Sequence, residues 1–331
     1  MLHILDDTDL PASEWLKIDV AAEADRIAGE MRAILSRDLK RRGFIIGMSG
    51  GIDSSVSAAL AVKAVGKDRV FGLHMPEGES SDDSLRLSRL LADQLGIKST
   101  VENITGVLQG AGCYQRRDDA VRLSVPDFGP GWKLKVVMPN VLDTDTYQVS
   151  QLVVQPPVGE PFKVRPKPET YAGVVAATNF KQRTRKMLEY YWADVLNYAV
   201  IGTPNGVEYD QGFFVKGGDG AADIKPIAHL YKSQVYALAE HLGVPAEIRA
   251  RPPSTDTFSL EQTQEEFYYA LPYDRMDIAL FGKNRNLPAE KVAVATGLTV
   301  DQLQRIWKGI DAKRATTRYL HLPPVLVDQL T

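Results

Sequence analysis

The chain has 331 residues, 44% of them hydrophobic and 24% charged, with a formal net charge of −3. That length is enough for one large core or two modest ones, and the charge balance gives no general electrostatic case for binding nucleic acid. The single cysteine, Cys113, excludes an internal disulfide and a cysteine-rich zinc site and fits a reducing cytoplasm.

The start, MLHILDDTDLPASEW, is acidic and is not a signal peptide, and no run approaches the ~18–20 uninterrupted apolar residues of a membrane span. Residues 20–42 place Val20, Ala24, Ile27, Met31, Ile34, Leu35 and Leu39 on one helical face, with Gly43 as the expected break. FIIGM (44–48) is a continuous apolar run, the pattern of a strand buried on both faces. A helix over 53–65, a strand over 69–75, a helix over 83–96 and a third strand over 98–104 follow. This alternation predicts an α/β fold with a doubly wound parallel sheet. Residues 113–172 read as an inserted β-lobe, with strand runs at 132–138 and 147–154 and then an extended proline-bearing stretch over 155–171. A long helix from 174, a strand at 198–203, a polar glycine-rich loop at 204–226 and a helix at 230–243 come next. The remainder is helical, and 311–324 is expected to act as a lid.

SGGIDSS (49–55) therefore joins a strand end to a helix start, where such folds bind ligands. Backbone N–H groups and the helix N-terminus favour an anion there, and Ser49, Ser54 and Ser55 offer hydroxyl donors. The loop has no lysine, and Asp53 would repel a phosphate unless a cation lay between them. Mg²⁺ does that, since it binds through one or two carboxylates plus phosphate oxygens. The alternative is a tight turn in which Asp53 only caps the helix.

SGGIDSS resembles the loop of the N-type ATP pyrophosphatases, which adenylate a substrate and expel pyrophosphate (the adenine nucleotide alpha hydrolase-like fold). NFKQRTRKMLEYYWA (179–193), GTPNGVEYDQGFFVKGGDGAADIKPIAHLYKSQV (202–235), PPSTDTF (252–258), PYDRMD (272–277) and the Lys313-Arg314 pair resemble, in order, successive blocks of the NAD synthetases, of the ammonia-dependent type. The resemblance implies ATP-dependent amidation of deamido-NAD by ammonia, through an acyl-adenylate, to NAD, AMP and pyrophosphate. It implies ATP binding by Gly47, Ser49, Gly50, Gly51, Asp53, Ser54, Ser55, Thr203, Lys232 and Ser254. Mg²⁺ would sit on Asp53 and Glu208. The dinucleotide would meet Arg183, Lys216, Asp223 and Lys313, and Asp53, Lys216 and Lys232 would serve catalysis. Asp219 would only brace its loop.

Departures from the family pattern are the 113–172 insert, Ser254 in place of threonine, Ala312 in place of a histidine and the wording GTPNGVE. They leave open a related amide ligase acting on another carboxylic acid, and a catalytically silent nucleotide-binding module. Thiolating relatives need paired cysteines, which one cysteine does not supply. The resemblance also implies a homodimer packed partly through the long helix. Residues 1–43 are too few for a glutaminase, so free ammonia, or ammonia from a separate protein, is the expected nitrogen source.

Overall fold

The computed structural model describes residues 11–138, 150–254, 257–269 and 271–327. The first helix, α1 (Val20–Ile34), is capped by Asp19, whose carboxylate accepts from Ala22 N at 3.0 Å. A π-turn over Leu35–Leu39 prolongs it, and the chain leaves the helix at Lys40, in the left-handed region at φ 50°. The expected break at Gly43 is thus corrected. Gly43 serves close packing instead, since a Cβ there would lie 2.3 Å from Arg69 O and 2.6 Å from the Tyr198 ring.

The first half then follows the expected alternation: β1 (Phe44–Gly47), α2 (Ile52–Val65), β2 (Val70–His74), α3 (Asp82–Leu95) and β3 (Lys98–Val101). Two helices follow, α4 (Thr105–Gly110) and α5 (Cys113–Arg122). The segment read as a β-lobe therefore opens on a helix, α5, which sets Val121 into a core with Val125 and Phe128. Its antiparallel sheet is β4 (Lys133–Val137), β5 (Gln151–Gln155) and β6 (Phe162–Val164), with Leu134 opposite Val154 and Leu152 opposite Val164. Residues 147–149 of the second expected run lie outside the described residues.

The long helix α6 (Pro168–Leu196) begins inside the stretch read as extended, with Pro168 in its first turn. A proline there loses no intrahelical bond and already has helical φ, so it starts this helix rather than preventing it. A two-residue strand, β7 (Ala199–Val200), and a short helix, α7 (Gly206–Gln211), follow, so the glycine-rich loop of 204–226 is not structureless. The remaining helices are α8 (Lys232–His241), α9 (Ala246–Ala250), α10 (Tyr273–Asn284), α11 (Ala289–Thr296) and α12 (Val300–Thr317).

The main sheet is parallel, in the order β3-β2-β1-β7, with Ile45 level with Phe71 and Val200. Successive side chains of β1 face opposite layers. Phe44 and Ile46 join Leu60 of α2 and Met31 of α1 on one side, while Ile45 meets Leu73, Val200 and Ala193 of α6 on the other. Each such buried side chain contributes about 1.5–3 kcal/mol, which fixes β1 and hence the loop at its carboxyl end. The C-terminal helices hold a separate core around Met276, Leu280, Val292, Leu303 and Ile306. No helix among the described residues is long and apolar enough to cross a membrane.

Candidate active site

The turn after β1 is held by its own hydroxyls. Ser54 Oγ donates to Gly51 O at 3.0 Å, Ser55 Oγ donates to the same carbonyl at 2.8 Å, and Gly51 N donates to Ser49 Oγ at 3.3 Å. Gly50 has φ +76°, and a Cβ on it would stand 2.6 Å from Ser84 O. Only glycine lets this turn press against α3 in that conformation.

At the start of α2, Asp53 meets two partners. Its Oδ2 accepts from Lys232 Nζ at 2.5 Å, and its Oδ1 accepts from Asn205 Nδ2 at 3.1 Å. Asn205 also caps α7: its Oδ1 accepts from Val207 N and Glu208 N, while Glu208 Oε2 accepts from Asn205 N at 3.1 Å. This reciprocal cap joins the Asp53 and Glu208 carboxylates through one asparagine. Burial pushes Glu208 up to about 8, and the nearby Asp53 charge adds to the rise. Burial alone would drive Lys232 down, but Asp53 and Glu208 offset it and hold its ammonium above the ordinary lysine value. Asp277 of α10 accepts from Lys232 N and Ser233 N, fixing the start of α8.

Two carboxyl groups share one buried ammonium, and a divalent cation beside them would favour the ionised form of Glu208. Among the described residues no group of three or more His, Cys, Asp or Glu is gathered for a metal. A cation here would therefore complete its shell with waters and substrate oxygens, which is how Mg²⁺ behaves. The residues present fit it.

A cavity of about 1010 Å³ opens over these groups. Gly47, Ser49, Gly51, Asp53 and Ser54 form its loop side, and Thr203 and Glu208 continue the wall from the end of β7. Ser254, Arg183, Lys216 and Lys313 close it from other segments. Four expected site residues stand off the wall. Gly50 lies behind the loop, and Ser55 is buried with its proton spent on Gly51 O. Lys232 is fully buried beneath Asp53, so it does not reach toward phosphates as a free cation. Asp223, read as a substrate contact, accepts from Val200 N at 2.7 Å at the sheet edge. Its neighbour Asp219, read as a brace, does hold Val215 N at 2.8 Å, and it also lines the cavity, where burial raises its pKa.

The basic residues have defined partners. Arg183 Nε donates to Lys216 O, and Lys216 Nζ donates to Tyr319 O at 2.8 Å and Leu322 O at 3.0 Å, drawing the turn after α12 over the cavity. Lys313 lies inside α12, not in a loose segment. Burial pushes it down to about 7, and it stands 4.4 Å from the centre of the Tyr268 ring, donating to Tyr268 O.

Several groups were not singled out from the sequence. Lys186 pairs with Glu189 at 2.5 Å on the cavity wall. Lys181 is buried against Glu77 and Glu79 and donates to Thr257 O, while Arg117 also pairs with Glu79. KQRTRK (181–186) thus spreads its charges around the helix, as its spacing requires. A helical wheel would have exposed Lys186 and Glu189 as an i, i+3 pair.

The NAD synthase family model matches residues 27–122 and 144–317. The chain is 62% identical over 316 residues to an NH(3)-dependent NAD(+) synthetase of Rhizobium meliloti (strain 1021), covering 96% of this chain and 94% of the relative. It is 36% identical over 247 residues to the enzyme of the same name from Thermotoga neapolitana, covering 74% of this chain and 79% of the relative. Among solved structures, the fold is similar to an NH3-dependent NAD synthetase from Campylobacter jejuni, in complex with nitrate (TM-score 0.61, 19% identity, 94% of this chain and 100% of that one). It is also similar to an NMN synthetase from Francisella tularensis (TM-score 0.65, 22% identity, 95% of this chain and 100% of that one). At those identities the two structures speak to the fold alone. The family match across both halves of the chain, together with the close relatives, shows that this chain belongs to the NAD synthase family.

Proposed function

We propose that the chain amidates the nicotinate carboxylate of deamido-NAD with ammonia, using ATP and giving NAD, AMP and pyrophosphate. The observation that carries this reading is the Asp53–Lys232–Asn205–Glu208 constellation at the foot of α2, whose two carboxyl groups line the cavity, in a chain of this family. Ammonia cannot displace oxide from a carboxylate, so the carboxylate first attacks the α-phosphate of ATP. An acyl-adenylate forms and pyrophosphate leaves. Ammonia then attacks the acyl carbon, and AMP departs with its electron pair.

The Ser49–Gly51 turn offers backbone N–H groups to the leaving pyrophosphate, and the N-terminus of α2 adds positive potential. Asp53 and Glu208 would hold Mg²⁺, which when bound neutralises charge on the phosphate oxygens. Lys232 holds the Asp53 carboxylate in orientation through its ammonium, a positioning role. Arg183, Lys216 and Lys313 are assigned to the dinucleotide, with Lys216 exchanging its carbonyl acceptors for substrate oxygens. Thr203 and Ser254 are assigned to ATP. The exposed apolar row of Phe180, Met187, Tyr191 and Val195 on α6 supports a homodimer through that helix. Ammonia is assigned as the nitrogen source, free or from a separate donor, and the cytoplasm as the site of action. A ligase for a different acid has no observation in its favour beside relatives of 55–62% identity that carry the NAD synthetase name.

The test is product stoichiometry with deamido-NAD, MgATP and ammonium. NAD, AMP and pyrophosphate are expected in equal amounts, with none formed when the dinucleotide is left out. Pyrophosphate release stimulated only by some other carboxylic acid would overturn the assignment.

A further inference from the structure

His74 ends β2 and forms part of the cavity wall. Met48 N donates to Leu73 O at 2.8 Å, which sets His74 beside the first residues of the Ser49–Gly51 turn. The imidazole is 2% exposed. Its Nδ1 lies 2.8 Å from Ser88 Oγ, whereas Nε2 is buried with no hydrogen-bond partner among the described residues. A buried polar atom of this kind needs an explanation.

Ser88 settles which nitrogen carries the proton. Its Oγ lies 2.9 Å from Leu85 O as well as 2.8 Å from the imidazole. A hydroxyl has one hydrogen. Given to the Leu85 carbonyl, it leaves Oγ to accept from Nδ1–H, and Nε2 then carries a lone pair. The reverse arrangement would leave a buried N–H without a partner, which native proteins tolerate less than an under-used acceptor. Burial, aided by the nearby Arg89, lowers the imidazole pKa and keeps the ring neutral. Nε2 is therefore a buried acceptor awaiting a donor.

The nearby lining has a definite chemistry. Met48, Met75, Pro76 and Leu85 line the same cavity, with Ser80 and Ser84 among them, and thioethers pack well against aromatic faces.

We propose that His74 reads the base of the nucleotide: its Nε2 accepts a hydrogen bond from the 6-amino group of adenine. This rests on the assignment of the cavity to ATP. A 6-oxo purine would present a second lone pair to Nε2 and be rejected, so the same atom selects for ATP and against GTP or ITP. His74 is thus a specificity-determining residue, and Ser88 positions it by fixing the tautomer.

The test compares ATP, purine riboside 5′-triphosphate (no 6-amino group), ITP and 2′-deoxy-ATP in the wild type, His74→Phe and His74→Asn. The wild type is expected to prefer ATP to the unsubstituted purine by about five- to tenfold in kcat/KM, expressed in KM. In His74→Phe that preference is expected to fall to about one. His74→Asn keeps an acceptor and is expected to restore part of it. A wild type with no preference, or a preference that survives in His74→Phe, overturns the proposal. So does discrimination that changes only toward 2′-deoxy-ATP, which would assign His74 to the ribose.

Nitrogen NMR of the wild type needs no variant to fold. It is expected to find His74 as the Nδ1–H tautomer, with the Nε2 signal moving on addition of MgATP and not with the purine analogue. The Nε2–H tautomer overturns the proposal. Calorimetry of the same nucleotides without the dinucleotide separates the two readings. Preferential ATP binding with no NAD formed would count against the proposed reaction and leave His74 standing. NAD formed with no preference among the bases would count against His74 alone.

Discussion

Asp53 accepts from Lys232 through one oxygen and from Asn205 through the other, and Asn205 carries Glu208 on its cap. Burial and the Asp53 charge raise Glu208 from the ordinary 4.5 to about 8. A carboxyl with a raised folded pKa adds stability that is fully present below the unfolded value and is lost as pH rises through the folded one. Metal-free protein is therefore expected to lose stability between about pH 4.5 and pH 8, and Glu208→Gln to flatten that part of the curve. Chemical denaturation across this range with chelator present checks it, and an unchanged slope in the variant contradicts it. Added Mg²⁺ is expected to reverse the trend in the wild type, because a cation favours the ionised carboxylate.

The turn after β1 was legible in the sequence because a buried apolar strand, a glycine pair and a helix start follow one another without interruption. The fit of Gly50 against α3 was not, since it depends on Ser84, distant in the chain. Gly50→Ala combines a left-handed φ with a contact at 2.6 Å to a backbone oxygen that cannot yield cheaply. The variant is expected to lose about 1–3 kcal/mol of stability, and its KM for ATP is expected to rise as the turn shifts. A thermal melt and ATP saturation curves check this, and a variant with the wild-type KM contradicts it. Other elements misread from the sequence share one cause, local signals overridden by context. Prolines around Pro168 suggested extended chain, yet one of them sits where a helix accepts it. Asn205 and Glu208 form a sequence-readable cap, but glycines around them suggested a loop. Lys232 could be tied to an anion by its place at a helix start. That its partner in the structure is Asp53 is a tertiary fact.

At the scale of the whole molecule, α6 packs on the sheet and against α5, and its C-terminal half keeps an apolar row exposed. Ala193 packs with Ile45 and Leu73, while Met187 and Tyr191 are 55% and 57% exposed. An apolar row on a helix this long marks an interaction surface. Met187→Glu combined with Tyr191→Glu is expected to turn a dimer into a monomer by light scattering while leaving the far-ultraviolet spectrum unchanged. A wild-type protein that is already monomeric contradicts the dimer assignment. The sheet core and the C-terminal core contribute opposite parts of the site, Asp53 from one and Lys313 from the other, so the cavity depends on both.

The central claim is that the acid is activated as an acyl-adenylate over the Asp53–Glu208 pair. Deamido-NAD labelled with ¹⁸O in its nicotinate carboxylate tests it most directly. One labelled oxygen is expected in the phosphate of AMP and none in pyrophosphate. Label in pyrophosphate, or AMP without label, would contradict the account.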